Sequence, residues 1–91
     1  MKIVAVCGLG VGSSLMLEMT VKKILKEYGI EGEVSHTDLE SVKNIEADVF
    51  IMSKSLEDKV NVPCKIALSN IIGYEEIKEK LFVELKKREL L

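Results

Sequence analysis

Apolar positions follow two patterns that alternate along the chain. Continuous apolar runs occur at Lys2–Cys7 (KIVAVC), 48–53 (DVFIMS) and 64–68 (CKIAL). Short unbroken runs of this kind read as strands buried on both faces, as in a parallel sheet. A weaker strand is predicted at 33–37 (EVSHT). Between the runs the period lengthens. Leu17, Val21, Ile24, Leu25 and Tyr28 share one helical face, which predicts a helix over 13–28 with Gly29 as its stop. Ile77, Leu81 and Leu85 do the same for a second helix over 74–89. Its Glu76–Lys80 and Glu84–Arg88 pairs have the i,i+4 spacing that supports a helix, as does Glu18–Lys22 in the first. Asp38 is placed to cap a short helix over 38–45, and the polar stretch 54–61 reads as a loop or short helix. Pro63 lies just ahead of the fourth strand, where a missing N–H does little harm.

Strands alternating with helices point to an α/β fold around a parallel sheet. Right-handed crossovers leave few arrangements, of which the flavodoxin-like strand order 2-1-3-4 is expected here. In such sheets ligands bind beyond the carboxyl ends of the strands, where the strand order reverses. The first strand ends at Cys7, so that site is expected at Cys7.

Length and composition narrow the picture. Residues 1–91 suffice for a single small domain, and 47% apolar residues suit a packed core. With 13 basic and 15 acidic residues spread along the chain, the net charge of −2 gives no electrostatic case for nucleic acid. No apolar run is long enough to insert into a membrane, and the first strand is too short for a secretory leader, so a cytoplasmic location is expected. Two cysteines are too few for a disulfide framework, and Cys7 and Cys64 would lie at opposite ends of a parallel sheet. His36 and the two cysteines form no metal-ligand spacing, so no metal or other cofactor is expected.

The stretch AVCGLGVGSS carries the chemistry. Gly8, Gly10 and Gly12 permit a tight curl whose N–H groups converge, a nest for an anion. Leu9 and Val11 alternate with them, and Ser13 and Ser14 open the helix with hydroxyl donors. The helix N-terminus adds unpaired N–H groups and a partial positive charge, which suits a phosphate and favours the thiolate form of Cys7. A thiolate there can attack phosphorus while the amides of Gly8–Ser14 hold the oxygens. The spacing is not that of a dinucleotide loop, and no lysine follows as in a Walker motif. A tyrosine-phosphatase loop places an arginine six residues after its cysteine. Here that position is Ser13, and the only arginine is Arg88. A loop that can accept phosphate without hydrolytic machinery suits a carrier. His36 and Ser53, each near the carboxyl end of a strand, are candidates for further contacts with the phosphoryl group. Leu9, Val11 and Met16 are candidates for the rim of a docking surface, with core packing the competing expectation for Met16.

The strand KIVAVC, the loop CGLGVGSS and the following helix resemble the enzyme IIB component of the bacterial phosphoenolpyruvate-dependent sugar phosphotransferase system. The loop is most similar to the ascorbate type within the lactose/cellobiose superfamily. HTD at 36–38, ADVFIMSKSL at 47–56 and NIIGYEEIKEKL at 70–81 extend the likeness over nearly the whole chain. The resemblance implies a three-layer α/β/α sandwich related to flavodoxin and the low-molecular-weight phosphatases. It also implies a mechanism. Enzyme IIA carries phosphate on a histidine, the residue matching Cys7 takes it as phosphocysteine, and a sugar held by membrane component IIC receives it during uptake. Ascorbate or a related sugar is implied, although Val11 is apolar where some relatives carry a polar residue. Two other readings stay open at this point: a small cysteine phosphatase or arsenate reductase, and a IIB-like regulatory module.

Overall fold

A computed structural model describes residues 1–8 and 12–91, with only the backbone of Gly12, Ser13 and Ser14. Four strands, β1 (Lys2–Cys7), β2 (Glu33–Asp38), β3 (Val49–Ser53) and β4 (Lys65–Leu68), form one parallel sheet in the order β2-β1-β3-β4. The helices are α1 (Gly12–Glu27) and α2 (Tyr74–Lys87). The expected fold and strand order are therefore found, with ends displaced by a residue or two.

β1 lies between β2 and β3, and a layer packed on each side of the sheet covers both of its faces, which explains its unbroken apolar run. Successive side chains point to opposite faces. Ile3 and Ala5 pack with Leu17, Val21 and Ile24 of α1 and with Ile77, Leu81 and Leu85 of α2. Val4 and Val6 face the other way, against Phe50, Met52, Val42 and Val60. Both α-helices thus cover one face. The opposite layer consists of two 3-10 segments, Val42–Asn44 and Lys54–Lys59, with their flanking loops.

The helix expected over 38–45 is reduced to that first 3-10 turn. Asp38 ends β2, and its carboxylate accepts the Ser41 amide at 2.7 Å. That bond closes a local turn and holds the Asp38 carboxyl below its ordinary range. The stretch has few residues left to wind further before β3 begins.

The helix stops have a common geometry. Gly29 takes φ +70°, with Ile30 N donating to Leu25 O at 2.9 Å and Gly29 N to Lys26 O at 3.1 Å. This is a Schellman closure with glycine at the left-handed position. α2 closes the same way through Leu90 N to Leu85 O (2.9 Å) and Glu89 N to Lys86 O (3.0 Å), but with Glu89 at φ +61°. Glu89 was expected inside the helix. It is instead the residue that ends it.

Candidate phosphoryl-transfer site

β1 delivers Cys7 to the carboxyl edge of the sheet, opposite Asp38 of β2. On its other side Ala5 pairs with Ile51 of β3, and continuing that register brings Cys7 level with Ser53. Cys7 is 7% exposed. An open cavity of about 450 Å³ lies there, lined by Cys7, Gly8, Ser53, Ser55, Leu56 and Lys59 among others. Leu56 covers Gly8 so closely that a Cβ on Gly8 would sit 3.0 Å from Leu56 Cδ2. A side chain at this position would therefore have to displace the tip of Leu56.

Of the residues expected to cradle phosphate, Gly8 lines this cavity. Leu9, Gly10 and Val11 lie outside the described residues. Gly12, Ser13 and Ser14 open α1, so the helix begins five positions after Cys7, one residue before the expected start at Ser13. Ser53 is in the cavity wall, its hydroxyl 2.7 Å from that of Ser55.

His36 is not in that wall. Its Nδ1 lies 2.6 Å from Glu18 Oε1 of α1, and Lys22 Nζ donates to Glu18 Oε2 at 2.8 Å. Glu18 is 8% exposed. Burial raises its pKa, but the hydrogen bonds from Lys22 and His36 outweigh that, and the carboxyl sits below its ordinary range. His36 therefore fastens β2 to α1, and its candidacy as a phosphate contact is not supported by its placement.

Met16 is 56% exposed, so its side chain is not in the core. Leu15 and Met19, at 43% and 62%, extend an apolar surface over the first two turns of α1, and Ile72 is 65% exposed in the loop after β4. Ser55 and Lys59 were missed by sequence reasoning. The available signal was their position just beyond β3, on the edge where parallel sheets bind ligands.

Cys64 lies at the other end of the sheet, half-buried, its carbonyl accepting Phe50 N at 3.1 Å. No disulfide joins the two cysteines. A larger groove of about 830 Å³ runs along α2 and β4, but its lining contains no cysteine, histidine or serine. Among the described residues no helix is long and apolar enough to cross a membrane.

A cysteine at the carboxyl end of a central parallel strand, with a helix N-terminus five residues further along the chain, defines an α/β protein of the doubly wound class. Residues 2–82 match the model of the lactose/cellobiose-specific IIB subunit of the phosphotransferase system, and the chain belongs to that family. It is 33% identical over 84 residues to the ascorbate-specific EIIB component of the phosphotransferase system from Mycoplasma pneumoniae (strain ATCC 29342 / M129 / Subtype 1), covering 87% of this chain and 88% of that protein.

Proposed function

We propose that this chain is a cytoplasmic phosphocarrier, a phosphotransferase subunit that receives a phosphoryl group from a phosphohistidine on enzyme IIA. Cys7 carries it as a phosphocysteine, and a sugar bound by membrane component IIC receives it. The observation that carries this reading is the placement of Cys7 in the cavity at the carboxyl edge, directly before the loop and α1. In the first transfer the Cys7 sulfur attacks phosphorus. The S–P bond forms as the P–N bond breaks, and the electron pair stays on the donor imidazole, which then takes a proton. In the second, the sugar oxygen attacks, the O–P bond forms, the S–P bond breaks and the thiolate leaves. The hydroxyl proton passes to a base or to water.

In this reading the backbone amides from Gly8 to Ser14, through Leu9, Gly10, Val11, Gly12 and Ser13, hold the phosphoryl oxygens. The apolar surface of Leu15, Met16 and Met19 beside the loop suits a protein partner that must dock and leave. Ascorbate is the proposed sugar, on the strength of the named relative. The test uses inside-out membrane vesicles containing the matching IIC and loaded with ascorbate, with phosphorylated protein supplied outside. Phosphorylated ascorbate should appear outside, on the side of the protein, as phosphate leaves it. Steady release of p-nitrophenol from p-nitrophenyl phosphate, with no phosphate passed to any sugar, would contradict the carrier role.

A further inference from the structure

We propose that Lys59 is a phosphoryl-binding residue, lining the Cys7 cavity together with Ser53 and Ser55. This inference rests on the carrier reading and adds a charged group to it.

The cavity beside Cys7 has a one-sided chemistry. Among its described lining residues Lys59 is the only charged one, and no carboxylate faces it there. Ser53 and Ser55 also line the cavity, with their hydroxyls 2.7 Å from each other. In a pair bonded this way one hydroxyl hydrogen is used internally and the other can point to an acceptor in the cavity. One ammonium, a hydroxyl pair and no anion form a surface for a dianion, whether bound as an ester or arriving on a donor.

The segment holding these groups is tied down. Lys65 Nζ donates to Glu57 O at 2.6 Å and to Val60 O at 3.0 Å, bracketing Lys59 in the chain. Leu56 seats the same 3-10 segment against Gly8. Lys59 itself makes no ion pair among the described residues, so its ammonium is not committed to a neighbour. A thiophosphate ester on Cys7 is a dianion near neutral pH. Such a charge in the cavity calls for a counter-charge close by. Lys59, in the lining of the same cavity, supplies it.

The experiment follows the ³¹P resonance of phosphorylated protein against pH, for the wild type, Lys59→Gln and Lys59→Arg. Removing the cation should raise the midpoint of the phosphoryl group's ionisation by about half a unit, and arginine should restore most of it. Phosphoryl uptake from IIA should slow about tenfold in Lys59→Gln. A lysine that only helps IIA to dock would slow uptake and leave the ³¹P midpoint in place, and that result would overturn the proposal. An unchanged midpoint with unchanged uptake would overturn it too. In both cases the wild type still acquires phosphate, so the carrier role stands. A wild type that acquires none contradicts the carrier role itself.

Discussion

The two edges of this one sheet are built for different purposes. At the amino edge the chain is stitched to itself. Glu33 N donates to Met1 O at 2.8 Å, Asp48 N to Lys2 O at 2.9 Å, and Lys2 N to the Asp48 carboxylate at 2.7 Å. Arg88 reaches back from beyond α2, giving Nη2 to Asp48 O and Nε to Glu84, both at 2.9 Å. Bonds to Cys64 and Glu84 hold its guanidinium above its ordinary pKa. At the carboxyl edge the strands instead end on an open cavity lined by a cysteine, two serines and a lysine. Each edge holds one cysteine. Cys64 sits among bonds that order the chain, Cys7 among groups that suit an incoming anion. The two cysteines thus differ in surroundings according to their position in the sheet, and the proposed chemistry falls to Cys7.

The comparison can be broken in several ways. The largest effect is expected from filling the carboxyl edge. Gly8→Val drives side-chain atoms into Leu56 and the cavity, and phosphoryl uptake should fall at least tenfold. Cys64→Ala, at the other edge, should leave uptake unchanged. If Gly8→Val transferred at the wild-type rate, the cavity would not be the site.

Arg88→Ala should do the reverse. It removes bonds that close the amino edge, and a loss of about 1–2 kcal/mol is expected, lowering Tm by several degrees with uptake preserved. Thermal unfolding beside the uptake assay would read both. Equal losses in stability and transfer would erase the distinction between the edges.

The carboxyl edge has a structural pin of its own. Glu76 of α2 accepts Ser69 N at 2.7 Å and Asn70 N at 3.0 Å, holding the loop that brings Ile71 to the cavity. The Ser69 backbone bond leads in lowering its pKa from 4.5 to about 2, and Lys80 adds to this. A depressed carboxyl stabilises the fold above its unfolded value. That contribution is lost as pH falls from about 4.5 through about 2. Urea unfolding of Glu76→Gln should therefore show a flatter dependence over this window than the wild type. An identical slope would mean that the pin contributes nothing.

The smallest effect concerns the helix stops. Glu89 occupies a left-handed position that Gly29 fills in the other helix. Glu89→Gly should stabilise the protein by about 0.5–1 kcal/mol, because the relieved strain exceeds the added freedom of the unfolded chain. Gly29→Ala should destabilise it by a similar amount. Equal and opposite shifts in Tm would confirm that the two closures are equivalent.

How much of this was legible in the sequence depended on whether the signal was local. β1, α1 and α2 were legible because burial on both faces, or on one helical face, repeats at a fixed period. The proposal for Cys7 could be made from sequence because cysteine, glycines and helix start are adjacent in the chain. The short turn after Asp38 was not, since a side chain that caps a helix also closes a turn, and only the path to β3 decides between them. Lys59 was hidden in a polar stretch that resembles any loop; the parallel register of β1 and β3 brings that stretch to Cys7. His36 shows the opposite error: closeness to a strand end suggested the site, but its side chain points to Glu18 on the α1 face.

The central claim is tested most directly by the intact mass of the protein after incubation with phosphoenolpyruvate, the general phosphotransfer proteins and the matching IIA. Cys7→Ser and Cys64→Ser are run alongside. A gain of one phosphoryl group should require IIA, persist in Cys64→Ser and vanish in Cys7→Ser. No gain in the wild type with a demonstrably active IIA, or a gain retained in Cys7→Ser, would contradict the assignment of chemistry to the carboxyl edge.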